Sequence, residues 1–152
     1  MLNANTSEAR EIVAFLHQNL GDDARMIDID LELLKFAQDS KDETTLQLYA
    51  NDILRLQNLH NTTQGTPYVD FALVQSFMRE RDFAQSLKLL DSLLAKEITP
   101  NTRAQALYLK GSVLRSLNNN ASAKQSFEEC KAIQGDSQTW QSLCAQALDL
   151  VQ

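Results

Sequence analysis

Apolar residues recur along the chain at helical spacing, in runs separated by polar stretches that hold most of the few glycines and prolines. Periodicity of this kind, punctuated by Gly and Pro, indicates a string of α-helices. Eight helices are predicted, at about 7–20, 22–38, 40–60, 67–81, 82–96, 100–117, 120–134 and 137–151. The sequence therefore predicts an all-α fold.

The second of these segments also has the alternation of a half-buried strand. Between positions 27 and 33, Ile and Leu alternate with Asp and Glu. Helix is preferred because Asp and Glu are depleted in strands and because no convincing second strand exists to pair with it. Leu34, Phe36 and Ala37 then break the alternation.

Polar residues with helix-capping spacing mark three of the predicted helix starts. Ser40 and Glu43 have the spacing of a capping box, in which the serine side chain accepts from the N3 amide. Thr66–Pro67 and Thr99–Pro100 each place a capping hydroxyl before a proline at the first helical position. Helices are expected to begin at these points.

The stretch HNTTQGTP, residues 60–67, lacks apolar periodicity and is the best internal boundary. It divides the N-terminal helices, 1–60, from a C-terminal region, 67–151. A chain of 152 residues still fits one ordinary domain. We therefore expect one continuous structural domain.

The C-terminal region contains an internal repeat. Five positions of its first helix pair correspond to five positions of its second pair, 37 residues further on. The first set is Phe77, Phe83, Ser86, Leu90 and Leu93, and the second is Leu114, Asn120, Ala123, Phe127 and Cys130. A constant offset across two helices indicates a repeated helix–turn–helix unit.

The second copy resembles the tetratricopeptide repeat, whose period is about 34 residues with small residues where the two helices cross. The likeness rests on Leu107, Gly111, Leu114, Ala123, Phe127 and Cys130. The first copy is less similar, with Val74 and Ser86 at the small positions. A partial third copy, with Trp140, Leu143, Cys144 and Ala147, resembles the terminal capping helix of such stacks.

The resemblance covers residues 67–151 and implies antiparallel helix pairs stacked as an α-solenoid with a right-handed superhelical twist. Residues 22–60 remain open as a further, diverged pair. In this family the first helix of each pair lines a concave groove, which binds partners. The implied groove residues are Tyr68, Phe71, Gln75, Met78, Gln105, Tyr108, Ser112, Arg115, Gln138 and Gln141.

The resemblance implies a non-catalytic protein-interaction module, an adaptor, scaffold or chaperone-like protein that holds a peptide or amphipathic helix of a partner protein. Chaperone-binding members clamp a C-terminal carboxylate with Lys, Arg and Asn. The matching positions here, Phe71, Gln75, Tyr108 and Ser112, do not support that activity. For Phe71 and Met78 the alternative is a core position.

Other functions stay open beside this one. The chain fits a structural or oligomerisation subunit, for example a homodimer, whose groove is covered by its own N-terminal helices. The loop AKEITPNT resembles that of pentatricopeptide repeats, which read single-stranded RNA. A small enzymatic or regulatory domain would need a site built from Asp and Glu of the N-terminal helices.

Charge and apolar run length narrow the classes of partner. A net charge of −6 and a pI near 4.8 oppose binding to nucleic acid or to anionic membrane surfaces. No run approaches the ~18 apolar residues of a membrane span, and the N-terminus lacks the basic region of a secretory signal. Because the chain has only two cysteines, a reducing compartment and a cytoplasmic location are expected.

Few residues have the pattern of catalytic or metal-binding chemistry. Cys130 and Cys144 are interpreted as small buried apolar residues; a disulfide is the alternative if their Cα atoms lie within about 7 Å. His17 and His60 lie near predicted helix C-termini, where an imidazolium favours the last carbonyls. With four glycines in total, no phosphate-binding loop is present.

The acidic segment of the second helix resembles the start of a calcium loop. Asp28, Asp30 and Glu32 have the alternating spacing, but the glycine and the distal glutamate that complete such a loop are missing. A solvated helix face or a capping role is therefore preferred. The sequence predicts no catalytic residue, no metal site and no cofactor.

Overall fold

The computed structural model describes residues 6–151, apart from a few side chains of the first helix. Over this range the chain forms eight α-helices and no strand. The helices are α1 (Thr6–Leu20), α2 (Met26–Asp39), α3 (Glu43–His60), α4 (Tyr68–Arg79), α5 (Phe83–Leu94), α6 (Pro100–Ser116), α7 (Asn120–Lys131) and α8 (Thr139–Leu150). The predicted all-α fold is confirmed. None of these helices combines the length and apolar character that a membrane span requires.

The segment that also fits a strand, residues 27–33, lies within α2. This helix begins at Met26, later than the predicted start at about residue 22. Residues 21–25 instead form turns that follow Gly21, which takes a left-handed conformation at φ 52°. Gly tolerates this conformation because it has no Cβ, so it ends α1 as predicted.

The same turn joins α2 to α3, α4 to α5 and α6 to α7. One residue of each turn is left-handed: Lys41 at φ 55°, Arg81 at φ 62° and Asn118 at φ 61°. The amide of the next residue donates to the carbonyl five positions earlier, at 2.8–3.0 Å in all three turns. This is the closure of a Schellman motif, which satisfies carbonyls at the end of the first helix.

The residue after the left-handed position caps the helix that follows. Its side-chain oxygen accepts from the backbone amide three residues further on, which is the N-cap hydrogen bond. The pairs are Asp42 with Thr45, Asp82 with Gln85 and Asn119 with Ser122, at 3.1, 3.2 and 3.4 Å. The hairpin of α2 and α3 therefore has the same turn as the two predicted repeats.

The predicted capping box at Ser40 and Glu43 is wrong. Ser40 is the C-cap of α2, where its amide donates to Phe36 O. Asp42 caps α3, and its carboxylate also accepts from the Thr45 hydroxyl at 2.6 Å. Hydrogen bonds to a carboxylate are stronger than those to a neutral hydroxyl, which favours Asp42 over Ser40 as the cap.

The two Thr–Pro pairs behave differently. Thr99 caps α6 as predicted, accepting from the Thr102 amide at 3.2 Å, with Pro100 at the first helical position. Thr66–Pro67 is a cis peptide, and α4 begins after it, at Tyr68. The Thr66 hydroxyl instead accepts from the Gln57 side chain at 3.3 Å.

The chain divides into two compact units, with the boundary between Val69 and Asp70. In the N-terminal unit, α1 contacts α2, and α2 packs against α3. The short turn at 40–42 makes α2 and α3 antiparallel neighbours. Their buried apolar residues are Met26, Ile27, Leu34, Ala37, Leu46, Ala50, Ile53 and Leu56.

In the C-terminal unit α6 is the central helix and is buried on two sides. One side packs with α4 and α5, and the other with α7 and α8. Gly111 of α6 lies against the ring of Phe127, which is fully buried. A glycine is needed here because the aromatic ring occupies the space that a Cβ would fill, so the predicted close crossing at Gly111 is confirmed.

Cys130 of α7 and Cys144 of α8 form a disulfide, with their Cα atoms 6.2 Å apart. Both residues are buried, as predicted, but the interpretation as unpaired apolar residues is wrong. Packing of α7 against α8 brings the two side chains together. Because disulfides persist mainly in oxidising compartments, this pair gives no support to the predicted cytoplasmic location.

We expect Gly111→Ala to lower the free energy of unfolding by about 1–3 kcal/mol, as overpacking of a core does. The added Cβ would lie 2.5–2.7 Å from three atoms of the fully buried Phe127 ring. Urea unfolding followed by circular dichroism measures the change. Ser116→Ala, at an exposed position of the same helix, is the control. An equal or higher midpoint for Gly111→Ala would contradict this packing.

We expect reduction of the disulfide to cost about 3 kcal/mol of stability, because the cross-link closes a short loop in the unfolded chain. The two cysteines are 14 residues apart. Unfolding of the oxidised protein with and without reductant measures the difference, and the Cys130→Ser/Cys144→Ser variant should not respond to reductant. Two reactive thiols in the unreduced, denatured protein would show that the bond is absent.

Candidate functional site

Three helices of the N-terminal unit bring one imidazole and two carboxylates together. His17 lies in the last turn of α1, Asp30 in the second turn of α2 and Asp52 near the middle of α3. One donor atom from each residue lies within 4.8 Å of the others. His17 Nε2 is 3.2 Å from Asp30 Oδ1. We call these three residues the His-Asp-Asp cluster.

Asp30 occupies a core position of α2. It lies three residues after Ile27 and four before Leu34, the spacing that places side chains on one side of a helix. All three residues are 0% exposed. Asp28 and Glu32 are exposed. The predicted solvated face is therefore confirmed for Asp28 and Glu32 and wrong for Asp30.

The carboxyl of Asp30 is buried and accepts no hydrogen bond from a donor among the described residues. The one hydrogen bond open to it is with the adjacent Asp52 carboxyl, when one of the two is protonated. His17 Nε2 is within ion-pair distance of Oδ1 but lacks the alignment of a hydrogen bond. An unsatisfied buried polar atom costs on the order of 1–3 kcal/mol, and more if it is charged. Such a group at a core position is therefore a candidate for function.

Arg55 fixes the second carboxylate. Its Nη2 and Nε donate to Asp52 Oδ1 at 2.8 and 3.1 Å, and its Nη1 donates to Asp22 Oδ1 at 2.8 Å. Asp52 Oδ2 is buried and has no hydrogen-bond partner within the described part of the chain. The guanidinium thus orients Asp52 through one oxygen and leaves the other unsatisfied.

The two carboxyl groups differ in their affinity for a proton. Burial, together with the hydrogen bond and the charge of the adjacent Asp52 carboxyl, raises the pKa of Asp30 from 3.8 to about 8, although Arg55 opposes the rise. Burial also acts to raise the pKa of Asp52, but contacts with Asp30 and Arg55 outweigh it and lower this pKa. At neutral pH the pair therefore holds one proton, on Asp30.

A cavity of about 570 Å³ lies between α1 and α3. Its lining residues are Ala14 and His17 of α1 and Leu48, Tyr49, Asn51, Asp52 and Arg55 of α3. Two residues of the His-Asp-Asp cluster thus reach the cavity, while Asp30 is buried behind them. A volume of this size is in the range of small-molecule and side-chain pockets, roughly 300–1,000 Å³.

The residues of the predicted groove differ widely in exposure. Tyr68, Gln75, Arg115 and Gln138 are exposed, Met78, Gln105, Tyr108 and Ser112 are half-buried, and Phe71 and Gln141 are buried. Phe71 packs in the core of the C-terminal unit, so the alternative core interpretation holds for it. Gln141 donates to Ile133 O at 3.2 Å. Tyr68 belongs to the N-terminal unit, where its hydroxyl donates to the Gln38 side chain.

The α6 part of the predicted groove is one continuous stripe. Gln105, Tyr108, Ser112 and Arg115 follow one another at helical spacing, and each retains solvent access. The Tyr108 ring packs on Trp140 and Phe127, with centroids 5.6 and 6.1 Å apart. A cavity of about 240 Å³ lies on a different side of the C-terminal unit, against α5 and α7, and includes Asp91, Lys110 and Glu129. Whether the stripe binds a partner stays a prediction.

No family model matches the chain, and no curated protein sequence matches it. Membership of the tetratricopeptide family therefore stays a prediction. One sequence signal for the His-Asp-Asp cluster did exist: Asp30 is in phase with the apolar residues of α2. The approach of His17 and Asp52 has no such signal, because it depends on how α1 and α3 pack around α2.

We expect the free energy of unfolding to decrease as the pH rises from about 4 to about 8. In this window the folded state retains a proton on Asp30, whose pKa is raised from 3.8 to about 8, and the unfolded state has lost it. The slope reaches at most about 1.4 kcal/mol per pH unit. Asp30→Asn keeps the shape of the protonated acid, so it should flatten the slope and be more stable than the native protein at pH 8.

Urea unfolding at several pH values, with EDTA in the buffer, measures this slope. Asp28→Asn removes an exposed carboxylate from the same helix and should leave the slope unchanged. If Asp30→Asn and Asp28→Asn both follow the native pH profile, Asp30 does not hold a proton in the folded state.

Proposed function

We propose that the chain is a non-catalytic protein-interaction module that holds an amphipathic helix or peptide of a partner protein. The observation that carries this proposal is a set of large apolar side chains left in solvent by the N-terminal unit. Ile12 and Phe15 of α1 are 59% and 62% exposed, and Leu48 and Leu59 of α3 are 65% and 57% exposed.

The pair on α1 supports a binding surface better than isolated residues would. Single exposed apolar residues are ordinary on protein surfaces, whereas adjacent ones often mark an interaction site. Ile12 and Phe15 are three residues apart and therefore neighbours on the helix. Burial of each side chain against a partner would contribute roughly 1.5–3 kcal/mol.

Leu48 offers a second point of attachment. It is exposed and lines the cavity between α1 and α3, together with Ala14 and Tyr49. A cavity beside exposed apolar residues accepts the anchoring side chain of a bound helix. The net charge of −6 favours a partner segment that carries basic residues beside its apolar anchors.

The stripe on α6 is a second candidate surface for the same function. Gln105, Tyr108 and Arg115 combine an aromatic ring, an amide and a cation that retain solvent access. These groups suit an extended peptide, in which side-chain amides and apolar anchors share the contacts. A stack of helix pairs in the manner of tetratricopeptide repeats would present this stripe on its concave face, which is part of the proposal.

We expect Ile12→Ser/Phe15→Ser to weaken partner binding at least tenfold, because two apolar contacts of more than about 1 kcal/mol each are lost. Quantitative mass spectrometry of proteins captured from native lysate by the intact chain and the variant measures this. Leu117→Ser, at a 46% exposed position of the C-terminal unit, is the matched control. Far-UV circular dichroism checks that all variants are equally helical.

A second variant, Gln105→Ala/Arg115→Ala, tests the α6 stripe in the same experiment. Loss of the captured protein with this variant alone would place the partner on the stripe. Light scattering tests self-association, and a dimer that Ile12→Ser/Phe15→Ser converts to a monomer would favour an oligomerisation subunit instead. If every variant captures the same proteins in the same amounts as the intact chain, neither surface binds a partner, and the proposed function is contradicted.

A further inference from the structure

We propose that the His-Asp-Asp cluster binds one divalent transition-metal ion of the zinc class, with His17, Asp30 and Asp52 as ligands. Two of its ligands, His17 and Asp52, line the same cavity as Leu48 of the proposed partner surface, whereas Ile12 and Phe15 are not among the lining residues. The sequence predicted no metal site, because its three ligands lie far apart along the chain and on three different helices.

The donor atoms are close enough to share one ion. Each of the three residues offers one atom within 4.8 Å of the other two, and His17 Nε2 and Asp30 Oδ1 are 3.2 Å apart. Zinc binds His nitrogen and carboxylate oxygen at about 2.0–2.2 Å, so its ligand atoms lie roughly 3–4 Å apart. His17 Nε2 and Asp30 Oδ1 already have this spacing, and binding requires the whole set, now within 4.8 Å, to close to it.

The strongest support for a metal ion is that three buried carboxyl oxygens of the cluster accept no hydrogen bond from a described donor. Asp30 is 0% exposed and neither of its oxygens accepts a hydrogen bond from a described residue; Asp52 Oδ2 is in the same condition. Buried carboxylates are normally paired or bound to a metal. A divalent cation that displaces the proton of Asp30 would bind these oxygens and balance the two negative charges that the pair then carries.

The other two helix hairpins show which residues occupy the position that corresponds to Asp30. Counted back from the capping residues Asp42, Asp82 and Asn119, the residues that match Asp30 are Asp70 and Leu107, and both are buried. Asp70 has Lys96 Nζ at 3.4 Å from Oδ1, which supplies a cation from within the chain, while its buried Oδ2 has no hydrogen-bond partner among the described residues. Leu107 needs no cation. Among the described ion pairs, Asp30 has only His17, a metal ligand by type.

The surroundings of Asp52 are those of a supported metal ligand. Arg55 donates two hydrogen bonds to Oδ1 and is itself held by Asp22, so the carboxylate is fixed and Oδ2 is left for an ion. Partners of this kind orient ligands and raise metal affinity. Arg55 therefore acts as a positioning residue and not as a ligand.

The ligand types select the class of metal. Calcium and magnesium prefer oxygen ligands throughout, whereas an imidazole nitrogen suits zinc and its first-row neighbours. Three protein ligands leave at least one position of a tetrahedral ion for water. Since His17 and Asp52 line the cavity between α1 and α3, that position has access to solvent through it.

The expected result is binding of one Zn²⁺ per chain to protein freed of metal by a chelator, measured by isothermal titration calorimetry. His17→Ala and Asp30→Asn should each weaken binding by roughly 100-fold or more, because each removes a direct ligand. Co²⁺ titration, followed by visible absorption, gives an independent signal from an imidazole-bound ion. Asp30→Asn is well suited because it keeps the side-chain shape and cannot take the negative charge that would bind the ion.

The matched control is His60→Ala. His60 is the second of the two histidines of the chain and lies outside the cluster, with its ring contacting Asp22 O. This variant should bind Zn²⁺ within about twofold of the native protein. Amide hydrogen exchange supplies a structural readout: the metal should slow exchange in α1 of the native and His60→Ala proteins, but not in His17→Ala.

Two results would overturn the proposal. One is the absence of calorimetric heat and of a Co²⁺ spectrum at millimolar metal, which would leave the cluster as a carboxyl pair that shares a proton. The other is Zn²⁺ binding that His17→Ala and Asp30→Asn leave intact, which would place the metal elsewhere. Circular dichroism of each variant separates loss of a ligand from loss of fold.

Discussion

A side-chain oxygen placed directly after one left-handed residue closes three of the helix hairpins. Within three residues, the turn satisfies carbonyls at the end of one helix and an amide at the start of the next, groups that helix ends otherwise leave unpaired. The chain therefore reverses at once, and the two helices must lie side by side. The turn sequences SKD, ERD and LNN share little beyond the capping Asp or Asn. The lengths of the backbone hydrogen bonds that close the three turns nevertheless agree within 0.2 Å.

Because the three hairpins share one turn, their positions can be compared by counting back from the capping residue. At the position of Asp30 the first hairpin differs from the other two. The position of Asp30 holds a lysine-paired aspartate in the second hairpin and a leucine in the third. A side chain at this depth in α2 would stabilise the core most simply if it were apolar, since Leu34 fills the next turn of the same side. A carboxyl there, beside a second carboxyl and an imidazole, costs stability in the absence of a cation. The proposed metal ion supplies that cation.

The sequence predicted every helix because helices depend mainly on local spacing and on their end signals. An error arose where two local signals competed: Ser40 and Asp42 are both good caps, and the geometry of the turn, together with the stronger acceptor, selects Asp42. The disulfide was only the alternative interpretation of the two cysteines, and the His-Asp-Asp cluster was not predicted, for another reason. Cys130 and Cys144 meet because α7 packs on α8, and His17 meets Asp30 because α1 lies against α2. Distances between helices are set by packing, which periodicity along one chain does not encode.

Both proposals concern α1, and they use different sides of it. His17 and Phe15 are two residues apart, and a rotation of about 100° per residue sets their side chains on nearly opposite sides. An ion bound by His17, Asp30 and Asp52 would hold one side of α1 against α2 and α3. The other side, with Ile12 and Phe15, would then be presented to a partner in a fixed orientation. If ordering of α1 favours both events, each ligand raises the affinity for the other by the same factor, because coupling between binding free energies is reciprocal. A metal site of modest affinity would then control the binding of a partner to Ile12 and Phe15.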